Sequence, residues 1–350
     1  MVLLADDDTE RGTAAAADIE TVLLAADCTV VVRQAGTALR SEAGNGLEHF
    51  GYVDGRSQPL MLLEDIEAES RDEGIAHWDP TAKLSRALVA DPLANDPEGL
   101  SFGSFFIFRK LEQNVLGFKT KEQDLANTLK LVGAERRELA GALLVGRFED
   151  GTPVTLSDEA RNMKRPRNDF NYDADGVAAR CPFHAHIRKT NPRGSSGATA
   201  QEKELEQACI MARRGITYED TPRKVHPEAL PEAETKAEFL VKVAPLLPTG
   251  GLGLLFMAYN AELDNQFVLT QKGWANERQF PKVPSDSPFC PPGLDGIIGQ
   301  PADGTDTHFY AAEWDQPTGA PIQSQGFNGF VTMRGGEYFF APSLKFLRGL

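Results

Sequence analysis

Apolar residues along this chain of 350 residues are spaced as in strands in some regions and as in helices in others. A short apolar run at 2–5 precedes a stretch from Thr9 with apolar residues at helical spacing, and β-branched residues return at 29–32. This order predicts a strand, a helix and a second strand. Residues 65–98 are acidic and irregular, and their Asp-Pro pairs predict a long connection between two domains.

A second unit begins near residue 104, where the aromatic and β-branched run SFFIFRK predicts a strand. Apolar residues at helical spacing across 125–143 predict helices. The run GLGLLFMAYN, residues 251–260, predicts a buried strand that leads into a helix near 262–271, whereas the polar stretches 194–201 and 219–234 predict loops. The pattern predicts an α+β fold with two domains, 1–98 and 99–350.

Charge and composition narrow the range of partners. Lys and Arg total 36 against 51 Asp and Glu, a net charge of −15, and no long basic stripe is present, so neither nucleic acid nor an anionic membrane is an expected partner. The first residues lack the basic region of a signal peptide, and no apolar run approaches the roughly 20 residues needed to span a bilayer. We therefore expect a soluble protein, extracellular or cytoplasmic.

The segment CPFHAHIRKTNPR, residues 181–193, places the imidazole of His186 among Arg188, Lys189 and Arg193. This arrangement is a plausible cradle for an anionic metal cofactor. An alternative is a zinc site made by His184, His186 and Cys181. The four cysteines of the chain are widely separated and form no CxxC pair, so a disulfide scaffold is not indicated.

Two further motifs carry candidate chemistry. In GYVDGRSQP, residues 51–59, glycines on both sides of Tyr52–Asp54 permit tight bends that aim the Asp54 carboxylate into a cavity, although Asp-Gly alone is typical of a turn. His49, just before this motif, is interpreted as structural. RRGITY, residues 213–218, begins with two arginines, which alone would suggest a helix cap or a surface feature.

These three motifs, in this order, closely resemble those of the dye-decolourising peroxidases, a family of haem enzymes. The resemblance covers nearly the whole chain and implies tandem ferredoxin-like domains, antiparallel sheets with helices on one face, that enclose a haem. Family members usually carry a further strand and helix region before the equivalent of Val2. We therefore expect a first domain that is shortened at its N-terminus.

The resemblance also implies roles for individual residues. His186 matches the proximal iron ligand, and Arg188 is a candidate partner for the haem propionates. Asp54 matches the distal acid/base, and Arg213, the first arginine of its motif, matches the distal cation. Leu254 and Phe256 alternate on the predicted strand and are expected to wall the distal pocket.

The function implied is a haem b peroxidase that uses hydrogen peroxide to oxidise bulky aromatic compounds and dyes. Tyr218 is the first candidate for relaying electrons to the surface, followed by Trp274 and Tyr338. Rival hypotheses are an enzyme that processes haem or porphyrin and releases iron, a non-catalytic haem-binding protein, and a metal hydrolase. The hydrolase lacks a general-base motif such as HExxH.

Overall fold

The first helix of the chain lies in a small unit of its own. The structure is a computed structural model that describes residues 1–54, 58–71, 81–162, 168, 170–194, 200–301 and 304–350. These residues divide into two compact units, 1–36 and 37–350. In the first unit, helix α1 spans Thr9–Ala25, and the Asp8 carboxylate caps it by accepting hydrogen bonds from the backbone N–H groups of Glu10 and Arg11. The predicted helix is confirmed.

The strands predicted on either side of α1 are wrong. Residues 2–5 and 29–32 are exposed and form no strand in the described part of the chain. A short apolar run becomes a strand only when a neighbouring strand satisfies its backbone N–H and C=O groups. The predicted division of the chain into domains 1–98 and 99–350 stays a prediction.

The second unit mixes helices with short and long strands. Its helices are α2 (Leu63–Arg71), α3 (Val115–Thr128), α4 (Ala134–Val145), α5 (His186–Thr190), α6 (Ala200–Ala208), α7 (Lys236–Lys242), α8 (Leu344–Leu347), a π-helix (Asp264–Ala275) and four 3₁₀ turns (Leu84–Arg86, Asp173–Asp175, Pro227–Ala229 and Ala244–Leu246). Its strands are β1 (Val89–Ala90), β2 (Phe102–Gln113), β3 (Ala212–Arg213), β4 (Ile216–Glu219), β5 (Leu252–Asn260), β6 (Thr307–Tyr310), β7 (Ile322–Gln325) and β8 (Val331–Ala341).

One antiparallel sheet forms the frame of this unit. Among the described residues it contains six strands, in which β2 pairs with β1, β5 and β8, and β5 also pairs with β3 and β4. Strands β6 and β7 form a separate antiparallel pair. This combination of helices with antiparallel sheet is the predicted α+β class.

Most predicted elements of this unit are present. The SFFIFRK run lies in β2, the helical patterns across 125–143 lie in α3 and α4, and GLGLLFMAYN lies in β5. The acidic stretch 65–98 is more regular than predicted, because it includes most of α2 and all of β1; its residues 72–80 lie outside the described part. The loop predicted at 194–201 overlaps the start of α6, and its residues 195–199 are also outside the description.

The helix predicted near 262–271 is a π-helix, in which the N–H of Val268 donates to Leu263 O and the N–H of Asn276 donates to Gln271 O. The buried Gln266 side chain fixes its start by accepting hydrogen bonds from the N–H groups of Ala261 and Glu262. No described helix is long and apolar enough to cross a membrane.

The largest apolar core joins α3 and α4 to the loop that precedes Asp54. Phe118 of α3 is fully buried and stacks on Phe50 with 4.1 Å between ring centroids. Val145 ends α4, and the next residue, Gly146, has φ of +102° and would place a Cβ 3.1 Å from Ile187. Because Ile187 follows His186, this packing seats α5 against the core.

Candidate active site

His186 is the first residue of α5, and its ring is held from behind by a buried carboxylate. The Nδ1 atom of His186 lies 2.9 Å from Oδ2 of Asp295. Asp295 is fully buried, and its other oxygen accepts hydrogen bonds from the N–H groups of Ile297 and Ile298 at 2.8 and 2.9 Å. The His186 side chain is 30% exposed. Since Asp295 covers the Nδ1 edge, the accessible edge is the one that carries Nε2.

Asp295 sets the electrostatics of this imidazole. Burial lowers the pKa of His186, but the charge and hydrogen bond of Asp295 outweigh burial and hold that pKa above its usual value. Burial raises the pKa of Asp295, and the charge of His186 with three hydrogen bonds brings it below its usual value. Asp54 and Arg213 also act on the pKa of His186, so the three motifs share one electrostatic environment.

Arg188 is not directed toward this site. Its guanidinium is fully buried, donates from Nη1 to Asp175 Oδ2 at 3.0 Å and to Cys181 O at 2.6 Å, and donates from Nη2 to Asp175 O at 2.9 Å. It also lies over the rings of Tyr172 and Phe183. A guanidinium committed in this way anchors α5 and leaves Arg188 without access to a cofactor carboxylate.

His184 is separated from His186 by its surroundings. The two residues are in a turn and a helix rather than in a strand, and His184 is buried with its ring stacked 4.0 Å from His308. Burial, the largest effect, lowers the pKa of His184 well below its usual value. No cluster of three or more His, Cys, Asp or Glu side chains suited to a metal occurs among the described residues. The zinc alternative therefore has no structural support in that part of the chain.

The loop that carries Asp54 is closed by hydrogen bonds. The N–H of Asp54 donates to Gly46 O at 2.9 Å, and the Glu48 carboxylate accepts from the N–H groups of Phe50 and Tyr52 at 2.9 and 3.0 Å. Gly51 has φ of +106°, in the left-handed region that disfavours a Cβ. The glycine predicted to permit a tight bend does so; Gly55 lies outside the described residues.

Arg213 meets Asp54 across the sheet edge. Its Nη1 atom lies 3.1 Å from Asp54 Oδ1, and the two side chains are 31% and 32% exposed. In β3, Arg213 pairs with Ala258 of β5, so it shares a face of the sheet with Phe256 and Leu254, two and four residues earlier. Both apolar side chains are half-buried. The next residue, Arg214, is exposed and donates to the carbonyl of Arg213.

The relay candidates differ in their access to solvent. Tyr218 is fully buried and packs with Leu255 and Met257 on the opposite face of the sheet from Arg213. Its proposed place at the surface is therefore wrong, because β4 turns alternate residues to opposite faces. Trp274 is buried against Phe280 with the rings stacked 5.1 Å apart, whereas Tyr338 is 40% exposed.

The similarity of the whole chain to known proteins agrees with these motifs. The chain is 51% identical over 331 residues to the multifunctional dye peroxidase DyP2 of an Amycolatopsis species, covering 93% of the chain and 65% of the relative. The solved structure of DyP2 superposes with a TM-score of 0.87 over 99% of the chain and 70% of that structure, at 49% identity. The chain belongs to the dye-decolourising peroxidase family.

Other structures of dye-decolourising peroxidases agree in fold. That of an Anabaena species is 37% identical with a TM-score of 0.82, over 98% of this chain and 66% of that one. A family member engineered in its heme pocket is 26% identical with a TM-score of 0.70, over 97% and 72% of the two chains. This chain spans 64% to 65% of the length of the curated relatives it matches. No protein-family model matches the sequence.

The donor set of this family member fits a haem. His186 offers one accessible nitrogen, while its other nitrogen is committed to Asp295. A metal bound by one imidazole must receive its remaining ligands from elsewhere, and a porphyrin provides four of them. Leu254 and Phe256 supply apolar surface beside Arg213, which suits a flat aromatic group.

Asp295 is the residue of this site that the sequence motifs did not identify. It lies in GLDGIIG, where Asp-Gly suggests a turn, and it is far from His186 along the chain. A carboxylate flanked by Leu294, Ile297 and Ile298 was the available signal, since such a residue is expected to be buried and paired. Its partner follows only from the tertiary structure.

Proposed function

We propose that this chain is a haem b peroxidase that reduces hydrogen peroxide and oxidises aromatic compounds, including bulky dyes. His186 would hold the iron, and Leu254 and Phe256 would line the distal side. Asp54 and Arg213 would act on peroxide. The single observation that carries the proposal is the convergence of the Asp54–Arg213 pair with the His186–Asp295 pair in one environment.

When bound, haem would supply the two electrons that reduce hydrogen peroxide and would regain them one at a time from aromatic donors. The protein's part on the proximal side is to fix the direction and basicity of the imidazole. Asp295 does this because its carboxylate accepts a hydrogen bond from the Nδ1–H group, which leaves Nε2 as the nitrogen that can bind iron. Because the Asp295 carboxylate is buried and both of its oxygens are hydrogen-bonded, it keeps its orientation toward Nδ1 of His186.

On the distal side, Asp54 has the reach and chemistry of a general acid–base. We infer that its carboxylate accepts the proton from one oxygen of hydrogen peroxide and returns it to the other oxygen, which then leaves as water. Arg213, 3.1 Å from Asp54 in the resting site, donates hydrogen bonds to the oxygen on which negative charge develops.

Bulky aromatic donors are proposed to react at the surface near Tyr338. The Tyr338 ring lies 6.2 Å from Phe267, and Phe267 lies 5.9 Å from Phe256 of the distal wall. Arg109 donates to the Tyr338 hydroxyl at 2.7 Å and so fixes the phenol against β2. Packed rings from the distal wall to an exposed phenol offer a short route for an electron.

The test is haem reconstitution of the purified chain and two histidine variants. His186→Ala is expected to lose most bound haem, measured from the Soret absorption, whereas the matched control His184→Ala retains it if it folds. Far-UV circular dichroism of both apoproteins checks folding. Full haem occupancy with an unchanged Soret band in His186→Ala would reject His186 as the ligand.

Asp54→Asn separates peroxidase activity from simple haem binding. We expect it to retain haem and to slow the reaction with peroxide by about 10² to 10⁴, the range for a general acid–base group. Rapid mixing followed at the Soret band gives this rate. An unchanged rate would favour a haem-binding protein, and loss of iron from added haem without dye oxidation would favour haem processing.

A further inference from the structure

The Lys189 ammonium is held in a cage of backbone carbonyls. Lys189 follows His186 by three residues in α5, and its side chain is fully buried. Its Nζ atom donates to Glu277 O at 2.8 Å, to Gly293 O at 2.6 Å and to Phe280 O. An ammonium group has three N–H donors, and here each one has a carbonyl. No donor remains for a cofactor.

Lys189 and His186 join α5 to the same segment of chain. Lys189 bonds the carbonyl of Gly293, and His186 bonds the carboxylate of Asp295, two residues later. The N–H of Asp295 also donates to Ala275 O at the end of the π-helix. The two side chains of one helical turn therefore fix the position of Asp295 relative to the imidazole.

The charge of Lys189 acts on Asp295 as well. Burial lowers the pKa of Lys189, and the charges of Asp295, Asp306 and Glu277 raise it; burial has the larger effect, and the resulting pKa is about 7. Three carbonyl acceptors favour the protonated amine, because a neutral amine would direct its lone pair at one of the carbonyl oxygens. A cation in this position lowers the strength with which Asp295 attracts the Nδ1 proton of His186.

We propose that Lys189 is a positioning residue that sets the geometry and strength of the His186–Asp295 hydrogen bond, and through it the electron donation of the imidazole to a bound iron. The second half of this inference rests on the proposed haem function, whereas the first half does not. A stronger Asp295 acceptor gives the imidazole more anionic character, which stabilises ferric over ferrous iron. Lys189 opposes that effect.

The test compares Lys189→Met with Arg188→Met. Both variants remove a buried cation from α5, but Arg188 pairs with Asp175 on another side of the helix. In Lys189→Met we expect the ferric–ferrous midpoint potential to fall by about 59 mV, equivalent to a tenfold change in the ratio of the two states. Arg188→Met weakens the anchoring of α5 without removing a contact near Asp295, so it is expected to shift the potential less than Lys189→Met does. Equal shifts in both variants, or no shift in Lys189→Met, would overturn the proposal.

Measurements without haem separate this inference from the proposed function. In the apoprotein, the NMR signal of the His186 Nδ1 proton is expected to move further in Lys189→Met than in Arg188→Met. This result stands even when haem fails to bind. Lys189→Gln, which keeps N–H donors without the charge, replaces Lys189→Met where the latter fails to fold. In the parent protein, a Lys189 ammonium that exchanges its protons as fast as a surface lysine would also reject the proposal.

Discussion

The two sides of the candidate haem site are built in different ways. On the proximal side, Asp295, Arg188 and Lys189 are fully buried, and each is tied to backbone groups. On the distal side, Asp54 and Arg213 are each about one third exposed and pair at an edge of the sheet. Burial holds the proposed ligand, His186, in one orientation, whereas exposure leaves the Asp54–Arg213 pair accessible to a small molecule. The charged residues close to His186 in the sequence, Arg188 and Lys189, therefore have structural roles. The charged groups that a small molecule can reach, Asp54 and Arg213, come from other segments of the chain.

Removal of the proximal cation Arg188 is expected to have the largest effect on stability. Arg188→Met leaves the buried Asp175 carboxylate without its guanidinium, which typically costs about 3 to 5 kcal/mol in free energy of unfolding. Urea unfolding followed by tryptophan fluorescence measures this cost. Arg214→Leu, at an exposed arginine, is the control and should change stability by less than about 0.5 kcal/mol. The comparison breaks down if Arg188→Met is as stable as the parent and only binds haem more weakly.

Removal of the distal cation is expected to affect chemistry rather than stability. Arg213→Leu should retain haem and slow the reaction with peroxide by about 10² to 10³, the usual cost of losing one donor to a developing oxyanion. Arg214→Leu should react at nearly the parent rate, because Arg214 is exposed and its guanidinium donates to the carbonyl of Arg213. Stopped-flow absorption distinguishes the two. A slow Arg214→Leu beside a normal Arg213→Leu would reverse the assignment of the two arginines.

Acid is expected to destabilise the distal side through His49. Its Nε2 lies 3.0 Å from Tyr218 O and its Nδ1 accepts from Arg223 at 3.0 Å, which fits a neutral ring. Burial and the charge of Arg223 lower the pKa of His49 to about 4. Because the unfolded chain binds this proton near its usual pKa of 6.5 and the folded chain does not, stability should fall as pH drops from about 6.5 to 4.

The contribution of His49 is on the order of 3 kcal/mol across that interval. His49→Gln, whose amide can donate to Tyr218 O and accept from Arg223, should flatten the dependence of unfolding free energy on pH between 6.5 and 4. Urea unfolding at several pH values measures the slope. A slope that is unchanged in the variant would assign the acid sensitivity to other groups.

The smallest expected effect concerns electron transfer between the haem site and dyes at the surface. Tyr338→Phe should lower turnover of a bulky dye several-fold while leaving haem content and the rate with peroxide unchanged, because it removes an exposed phenol. Tyr218→Phe is the matched control on the opposite face of the sheet and should turn over the dye at the parent rate. If only Tyr218→Phe lost dye turnover, the electron would leave through a buried tyrosine rather than through the exposed Tyr338.

The sequence was sufficient for the elements and residue types that depend on near neighbours. An aromatic and β-branched run located β2, a continuous apolar run located β5, and helical spacing located α3 and α4, because each of these elements packs against a core. The motifs around Asp54, His186 and Arg213 identified residues that the structure brings into one environment. The strands predicted at 2–5 and 29–32 did not form, since no local pattern reveals whether a partner strand is available.

Tertiary structure alone decided how the charged residues of CPFHAHIRKTNPR are used. The sequence places Arg188 and Lys189 next to the proposed ligand and so predicts that they help to hold an anionic cofactor. In the structure, Arg188 pairs with Asp175, and Lys189 donates hydrogen bonds to backbone carbonyls. Asp295, the partner that orients His186, has no sequence signature of that role. A buried charge must find its partner wherever the fold supplies one, and the partner's distance along the chain carries no information about that pairing.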